Sequence, residues 1–353
     1  MKILRVLPSM DFGGIERGVY DFSLKASALG HQVVVVSGNG RFIPLLKEKG
    51  IKWHNLPMER KNPAVFFSAC RRLKKITEEE KPDILHAQSR FPCWIACRVM
   101  KSFPEMPWVT SIHNFHTARW YSKSVGKGNL VITVSRALKN YAVEYLRIPE
   151  DRIRVVYNGI DVAFLNIKKT NRETPTIGMI ARFSTWKGHF FFLEAVKKVR
   201  EEGLNVKVLI VGSGSERYRT ELEKRISENR MAEAVKIVRM DGREALENMD
   251  VLVVPSLEPE GFGRTVAEAQ MSKTPVIGTG IGAVPELIED GKTGFLVEPG
   301  NTDQLADRIR FILTNPDAAS SIANAAFDNA VKNFTVSHMT EKTLSVYGEL
   351  LKE

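Results

Sequence analysis

Short apolar runs alternate with longer stretches whose apolar positions recur every third or fourth residue, almost from one end of the chain to the other. Strand-like and helix-like periods in strict succession predict a parallel sheet with crossover helices. In the first half the runs 3–7, 32–37, 84–87, 109–112 and 131–134 read as strands. Residues 17–29 and 62–80 read as helices, the former ending at Leu29-Gly30, a natural C-terminal stop. In the second half, strands are predicted at 176–181, 207–211, 235–237, 251–255, 275–278 and 294–297, with helices at 188–201, 216–230, 264–271 and 284–288. The least regular polar stretch, 166–175, rich in Lys, Thr and Asn, reads as a linker. Helical patterns at 303–314, 316–333 and 336–351 follow the last strand, and the final one has no strand left to cover, so it is expected to cross back and brace the first domain. The expectation is an α/β protein of two doubly wound, Rossmann-like domains, 1–165 and 166–335, with a C-terminal helix over 336–353.

Length and composition agree with that organisation. The chain has 353 residues, about twice the usual domain, with 43% hydrophobic and 26% charged residues, which excludes a disordered or fibrous chain. Charge adds something new: the net +10 is unevenly spread. Residues 1–165 hold 26 Lys and Arg against 14 Asp and Glu, whereas 166–353 hold 25 against 27. The basic excess therefore lies wholly in the first half. It suits a nucleic acid, an anionic membrane leaflet or a phosphorylated substrate, and equally a solvated surface with no partner.

Three cysteines, Cys70, Cys93 and Cys97, are too few and odd in number for a disulfide framework. Cys93 and Cys97 are four apart but lack the companion pair of a metal site, and read as small buried residues. No apolar run approaches a membrane span, and the start through Pro8 is too short and interrupted for a secretory leader, so a cytoplasmic location is expected.

Four segments carry candidate chemistry. A strand ending at Pro8 leads through Asp11-Phe-Gly13-Gly14 into a helix, where glycines permit close backbone approach and a helix N-terminus favours an anion. A plain strand-to-helix turn would use the same residues, and the dinucleotide fingerprint G-x-G-x-x-G is missing. After a second-half strand, Arg182-Phe-Ser-Thr-Trp-Lys187-Gly188 sets two cations five residues apart before a helix, a spacing that fits one diphosphate or two solvated cations. Val211-Gly212-Ser-Gly214 ends the next strand in small residues, leaving room for a ligand. In Glu258-Pro-Glu260-Gly261-Phe262-Gly263-Arg264-Thr-Val-Ala-Glu268, one carboxylate sits in a Gly-rich loop and the other further along the following helix. Both can accept paired hydroxyl hydrogen bonds from a sugar, and two carboxylates are also the equipment of a glycoside hydrolase.

Glu260 and Glu268 match the E-x7-E motif of retaining nucleotide-sugar glycosyltransferases, and the chain resembles family 4 of the GT-B fold. The resemblance extends over nearly the whole chain through Gly13-Gly14, Asn158-Gly-Ile-Asp161, Arg182 to Gly188, Val211 to Gly214, Asp250 to Ser256, and Pro285-Glu286 to Phe295. It implies two Rossmann-like domains facing a central cleft. It further implies a catalytic group of His113, Arg182, Lys187 and Glu260. Arg182 and Lys187 would hold the donor diphosphate and neutralise the leaving phosphate. Glu268 would take the ribose hydroxyls and Glu260 those of the donor sugar. The main chain of Phe262, Gly263 and Arg264 would reach the sugar or phosphate. Gly212 would lie beside the donor, Met240 in the loop 239–242 would lie by the base, and Gly13 and Gly14 would close over the diphosphate. His113 would hydrogen-bond the sugar near the reacting carbon, and Glu286 would be structural. The family implies front-face substitution with no metal and no cofactor, the nucleotide-sugar being a co-substrate. The chain lacks a D-x-D sequence, although His113 and His116 together could suggest a metal. One departure is Lys273, where many members carry Gly before Pro275; a left-handed Lys there costs about 1 kcal/mol.

Two basic-aromatic patches mark the first half: Arg60-Lys61 with Phe66-Phe67 and Arg71-Arg72-Leu-Lys74-Lys75, and Arg119-Trp120-Tyr121-Ser-Lys123. They suggest attachment to an anionic inner leaflet, or a helix with its rings in the core; no nucleic-acid motif accompanies them. The expected activity is transfer of a hexose or N-acetylhexosamine from UDP to a glycan or lipid-linked acceptor of the cell envelope or lipopolysaccharide. A GDP-mannose-dependent mannosyltransferase, a sugar-nucleotide epimerase, a nicotinamide oxidoreductase and a non-catalytic binding protein are the alternatives.

Overall fold

A computed structural model describes residues 1–11, 13–58, 62–170 and 172–351, less the side chain of Asn166. It divides into two units, residues 1–159 with 335–353, and residues 160–334.

The first unit is built on a seven-stranded parallel sheet: β1 (Lys2–Val6), β2 (Gln32–Ser37), β3 (Lys52–Asn55), β4 (Ile84–Gln88), β5 (Trp108–Ile112), β6 (Leu130–Thr133) and β7 (Ile153–Val155), in the order β3-β2-β1-β4-β5-β6-β7. Its helices are α1 (Gly14–Ala28), α2 (Phe42–Glu48), α3 (Pro63–Glu80), α4 (Arg90–Val99), α5 (Arg119–Ser122) and α6 (Arg136–Glu144). Central strands such as β4, Ile-Leu-His-Ala-Gln, are buried at every position because helices cover both faces. The two edge strands β3 and β7 are additional to the predicted five. Their short, polar sequences Lys-Trp-His-Asn and Ile-Arg-Val carry little apolar period. At the β3 edge, polar chemistry supports the packing: buried Glu80 of α3 accepts from Lys2 (2.7 Å), Lys52 (2.6 Å) and His54 Nε2 (2.6 Å). Burial pushes the Glu80 carboxyl up, but these three donors outweigh it and hold its pKa at about 2.

The second unit has six parallel strands, β8 (Thr176–Ile180), β9 (Lys207–Val211), β10 (Val235–Val238), β11 (Val251–Val254), β12 (Val276–Thr279) and β13 (Phe295–Val297), in the order β10-β9-β8-β11-β12-β13. Helices α7 (His189–Glu201), α8 (Glu216–Glu228), α9 (Gly242–Glu247), α10 (Arg264–Met271), α11 (Val284–Leu287), α12 (Thr302–Thr314) and α13 (Pro316–Asn333) complete it. Phe192, Val196, Val208, Ile210, Leu222, Val253 and Ile309 anchor its core.

The sequence reading puts the boundary at 165/166, and the units part at 159/160. The stretch read as a linker is fastened to the second unit. Lys169 Nζ donates to the carbonyls of Leu246 (2.7 Å) and Met249 (3.0 Å), and Arg172 pairs with Asp250 at 3.1 Å. The last helix, α14 (Val336–Leu351), belongs to the first unit, where Met339, Val346 and Tyr347 join the core around Phe22 of α1. Lys273 is left-handed at φ 53°, with its ammonium 4.7 Å over the Phe327 ring.

Candidate functional site

In a parallel sheet every strand delivers its following loop to one edge, and a ligand crevice opens where strand order reverses. In the second unit that point lies between β8 and β11. The loops leaving these two strands are those that carry Arg182 to Gly188 and Glu258 to Gly263.

Lys187 and Glu260 meet there. Lys187 Nζ lies 2.5 Å from Glu260 Oε1, with both side chains largely buried. Ser256, fully buried, donates its hydroxyl to the same oxygen at 2.5 Å, and Thr279 Oγ1 holds the Ser256 carbonyl at 2.7 Å. Lys187 Nζ also stands 4.1 Å over the Trp186 ring. The Glu260 main chain is fixed from the far side, its carbonyl accepting from Ala283 N at 3.0 Å. Ser256, Thr279 and Trp186 received no role from the sequence; the first two lie 4 and 19 positions from Glu260, and no spacing rule links them.

Gly188 is required by this arrangement, since its φ is +77° and a Cβ would stand 1.9 Å from the Pro255 carbonyl oxygen. At Gly212, which the sequence reading takes as clearance for a ligand, a Cβ would stand 1.9 Å from the Ala181 carbonyl oxygen. Its smallness lets the β9 loop pack on the loop carrying Arg182. Arg182 itself is exposed and makes no ion pair among the described residues.

Glu268, on α10, lies 3.4 Å from Arg264 one turn earlier, both half-buried. A Cβ at Gly242 would lie 3.9 Å from Glu268 Oε2, so the 239–242 loop and this carboxylate are neighbours, and half-buried Met240 lies in that loop. Gly263 caps α10 at φ 91°. Phe262 turns its ring into the core, edge-on to Phe334 at 5.7 Å, which leaves only its main chain for a ligand. Glu286 is half-buried in α11.

The first unit has its own order reversal, between β1 and β4. A cavity of about 150 Å³ lies at the carboxyl ends of β1, β4 and β5, lined by Ser89, Arg90, His113, Asn114, His116 and Tyr121 among others. His113 is half-buried, and Gln88 Nε2 donates to its Nε2 at 3.1 Å, a pairing that leaves the ring proton on Nδ1. Burial first, then the charge of Arg5 and the neighbouring His116, pulls its pKa down to about 3. His116 falls to about 4 through burial and Arg90. Both rings are neutral at physiological pH. Behind them runs a buried relay: Arg5 Nη1 donates to Tyr347 Oη (3.0 Å), which donates to His86 Nδ1 (2.6 Å), whose Nε2 donates to Ser111 Oγ (2.5 Å). Gln88, Arg90 and this relay were missed by the sequence reading, because only the sheet brings them to His113.

Gly13 and Gly14 open α1, and the carboxylate of Glu16 folds back to where a Cβ on Gly13 would stand, 2.2 Å away. The N-terminus of α1 thus has an anion of its own chain beside it. Arg60 and Lys61 lie outside the described residues. On α3, Ala69, Cys70, Leu73 and Ile76 face the core, so the expected apolar stripe is mostly interior; Phe67 at 60% exposure and Trp120 at 72% are the rings left outside. Among the described residues no group of three His, Cys, Asp or Glu could hold a metal ion, and no helix is long and apolar enough to cross a membrane.

Residues 12–164 match the family Glycosyltransferase Family 4, and residues 163–329 match Glycosyl transferases group 1. An uncharacterised glycosyltransferase of Methanocaldococcus jannaschii is 27% identical over 297 residues, covering 76% of this chain and 75% of that one. The crystal structure of a glycosyltransferase from Rickettsia africae is similar with a TM-score of 0.89 at 28% identity, covering 100% of this chain and 99% of the other. HepE of Anabaena, solved with UDP-glucose, shares the fold with a TM-score of 0.87 at 22% identity, covering 99% and 100%. The chain is a glycosyltransferase of the GT-B fold, in which a family 4 first half continues into a group 1 second half.

Proposed function

We propose that the protein transfers a hexose or N-acetylhexosamine from its UDP donor to a glycan or lipid-linked acceptor of the cell envelope, with retention of anomeric configuration. The observation that carries this reading is the meeting of Lys187 with Glu260 at the β8/β11 reversal, beside exposed Arg182. In it, Arg182 and Lys187 take the diphosphate, Glu260 takes donor-sugar hydroxyls, and Glu268 takes the ribose next to the 239–242 loop and Met240. The main chain of Phe262, Gly263 and Arg264 completes the grip, and Gly212 keeps the β9 loop close to Arg182. Donor binding replaces the Lys187–Glu260 pair by two better-matched partners, phosphate for the cation and hydroxyls for the anion.

As the bond from the anomeric carbon to the phosphate oxygen breaks, Arg182 and Lys187 stabilise the charge gathering on the leaving group. The acceptor oxygen bonds to that carbon on the same face, and its proton passes to the departing phosphate. His113, neutral with its proton on Nδ1, serves as a hydrogen-bonding group at the reacting sugar and not as an acid. No metal or cofactor takes part in this scheme. The UDP-glucose bound to HepE supports the donor class. The capsular polysaccharide glycosyltransferase CapM of Staphylococcus aureus, 27% identical over 244 residues, supports the envelope role. Exposed Phe67 and Trp120, with exposed Arg71, Arg72 and Arg119, supply a surface for an anionic inner leaflet.

The test is a panel of UDP- and GDP-sugars assayed for slow hydrolysis and for thermal stabilisation, with wild type and Glu260→Ala. One UDP-sugar turned over by wild type and not by the variant, with UDP binding kept, is expected. Undiminished turnover in Glu260→Ala contradicts the assignment.

A further inference from the structure

We propose that the first-unit cavity is an acceptor subsite specific for a sugar that bears a phosphate group, and that Arg90 is the residue that reads the phosphate. The inference rests on the transferase reading and on the first unit receiving the acceptor. It adds the acceptor's chemical class and the side chain that selects it.

The cavity holds about 150 Å³, the size that accommodates a six-membered ring. Among its described lining residues there is no Asp or Glu, and both histidines are neutral, so Arg90 is the one ionised side chain facing it. Its guanidinium lies 5.0 Å over the Tyr121 ring and forms no ion pair among the described residues. A cation held at a cavity wall without a carboxylate is complementary to an anionic ligand, and the planar guanidinium fork matches phosphate oxygens in pairs.

The arrangement is built in advance of the ligand. The Arg90 carbonyl accepts from Ser124 Oγ at 2.9 Å, and the Tyr121 carbonyl accepts from Trp94 Nε1 at 2.9 Å, so both members of the stack are tied through their main chains. Elsewhere in the lining, the Tyr141 hydroxyl donates to the His116 carbonyl at 2.6 Å and accepts from the His116 N–H at 3.2 Å. Ser89, immediately before Arg90, holds φ at +71° with ψ at 154°, a strained conformation for any residue but glycine. It turns the chain from β4 into α4 so that Arg90 opens the helix at the cavity. A rigid, acid-free wall with one stacked arginine suits a ring bearing a phosphate better than a neutral sugar.

The experiment titrates glucose 6-phosphate, glucose, and vesicles containing phosphatidic acid into the full-length protein saturated with UDP, so that the donor cations are already occupied. Wild type, Arg90→Gln and Arg90→Lys are compared. Saturable binding of glucose 6-phosphate, at least 10-fold weaker in Arg90→Gln, intermediate in Arg90→Lys, with no binding of glucose, supports the proposal. Binding unaffected by Arg90→Gln, equal binding of glucose, no binding of glucose 6-phosphate, or vesicles with phosphatidic acid bound as tightly as glucose 6-phosphate overturns it. Failure of UDP itself to bind wild type overturns the donor reading instead, and retained UDP binding in the variants shows that they fold.

Discussion

The two order reversals, β8/β11 in the second unit and β1/β4 in the first, collect functional groups by the same topology and equip them in opposite ways. The second-unit site is ionised and largely self-paired: Lys187 with Glu260 and Arg264 with Glu268. The first-unit site carries a single charge among its described lining residues, with His113 and His116 held uncharged by burial and Arg90 stacked on a ring. A nucleotide diphosphate is a fixed ligand that a short charged motif can grip. An acceptor varies, and its pocket is made from shape, neutral donors and one selecting charge.

The largest effect that separates the two is steric. Gly188→Ala forces a Cβ against the Pro255 carbonyl at a left-handed position and should cost on the order of 3 kcal/mol, with UDP binding lost. Gly203→Ala, also left-handed but with nothing within 4 Å, should cost only about 1 kcal/mol. Urea unfolding of the pair checks this; equal losses would mean that the β8 and β11 loops are not pressed together as described.

Acid comes next. A histidine whose folded pKa lies below its unfolded value of about 6.5 leaves the folded state with fewer bound protons, so stability falls as pH drops from 6.5 toward the folded value. The first unit holds four such rings, His31, His86, His113 and His116, and the second holds His189, lowered to about 4. His113 and His189 should each remove up to about 2 kcal/mol between pH 6.5 and 5, and the more exposed His116 less. Amide exchange at pH 5 should therefore show the first unit losing more protection. Glu80 works in a lower window: its depressed pKa of about 2 stabilises the fold above pH 4.5 and is lost between there and 2. Glu80→Gln should flatten that lower limb only.

Tyr347→Phe is a smaller test. It keeps the ring packed on Phe22 but leaves Arg5 Nη1 and His86 Nδ1 without their partner, for a loss of about 1–2 kcal/mol confined to the first unit. UDP affinity should not change. Smallest is Lys273→Gly, where relief of the left-handed strain, about 1 kcal/mol, is partly offset by losing the contact with Phe327. A gain of a few tenths of a kcal/mol is expected in thermal unfolding.

The same contrast explains what was legible in the sequence. Central strands were readable because burial on both faces writes continuous apolar runs. Edge strands β3 and β7 were not, since their partners are Lys2, Glu80 and a neighbouring strand and not an apolar face. Glu260, Glu268, Arg182 and Lys187 stood out because their spacing along the chain is itself the motif. Gln88, Arg90 and the Arg5–Tyr347–His86 relay did not, because strands and a helix up to 342 residues apart in sequence bring those groups together. Gly212 has a second reason to be small that its position along the chain does not show, a carbonyl of its own unit.

The central claim is that ionised groups of the second unit bind the donor and that Arg90 of the first has no part in it. Calorimetric titration of UDP into wild type, Lys187→Ala and Arg90→Gln tests it most directly. The predicted result is a loss of affinity of at least 100-fold in Lys187→Ala with Arg90→Gln matching wild type. Wild-type affinity in Lys187→Ala, or a comparable loss in Arg90→Gln, would contradict it.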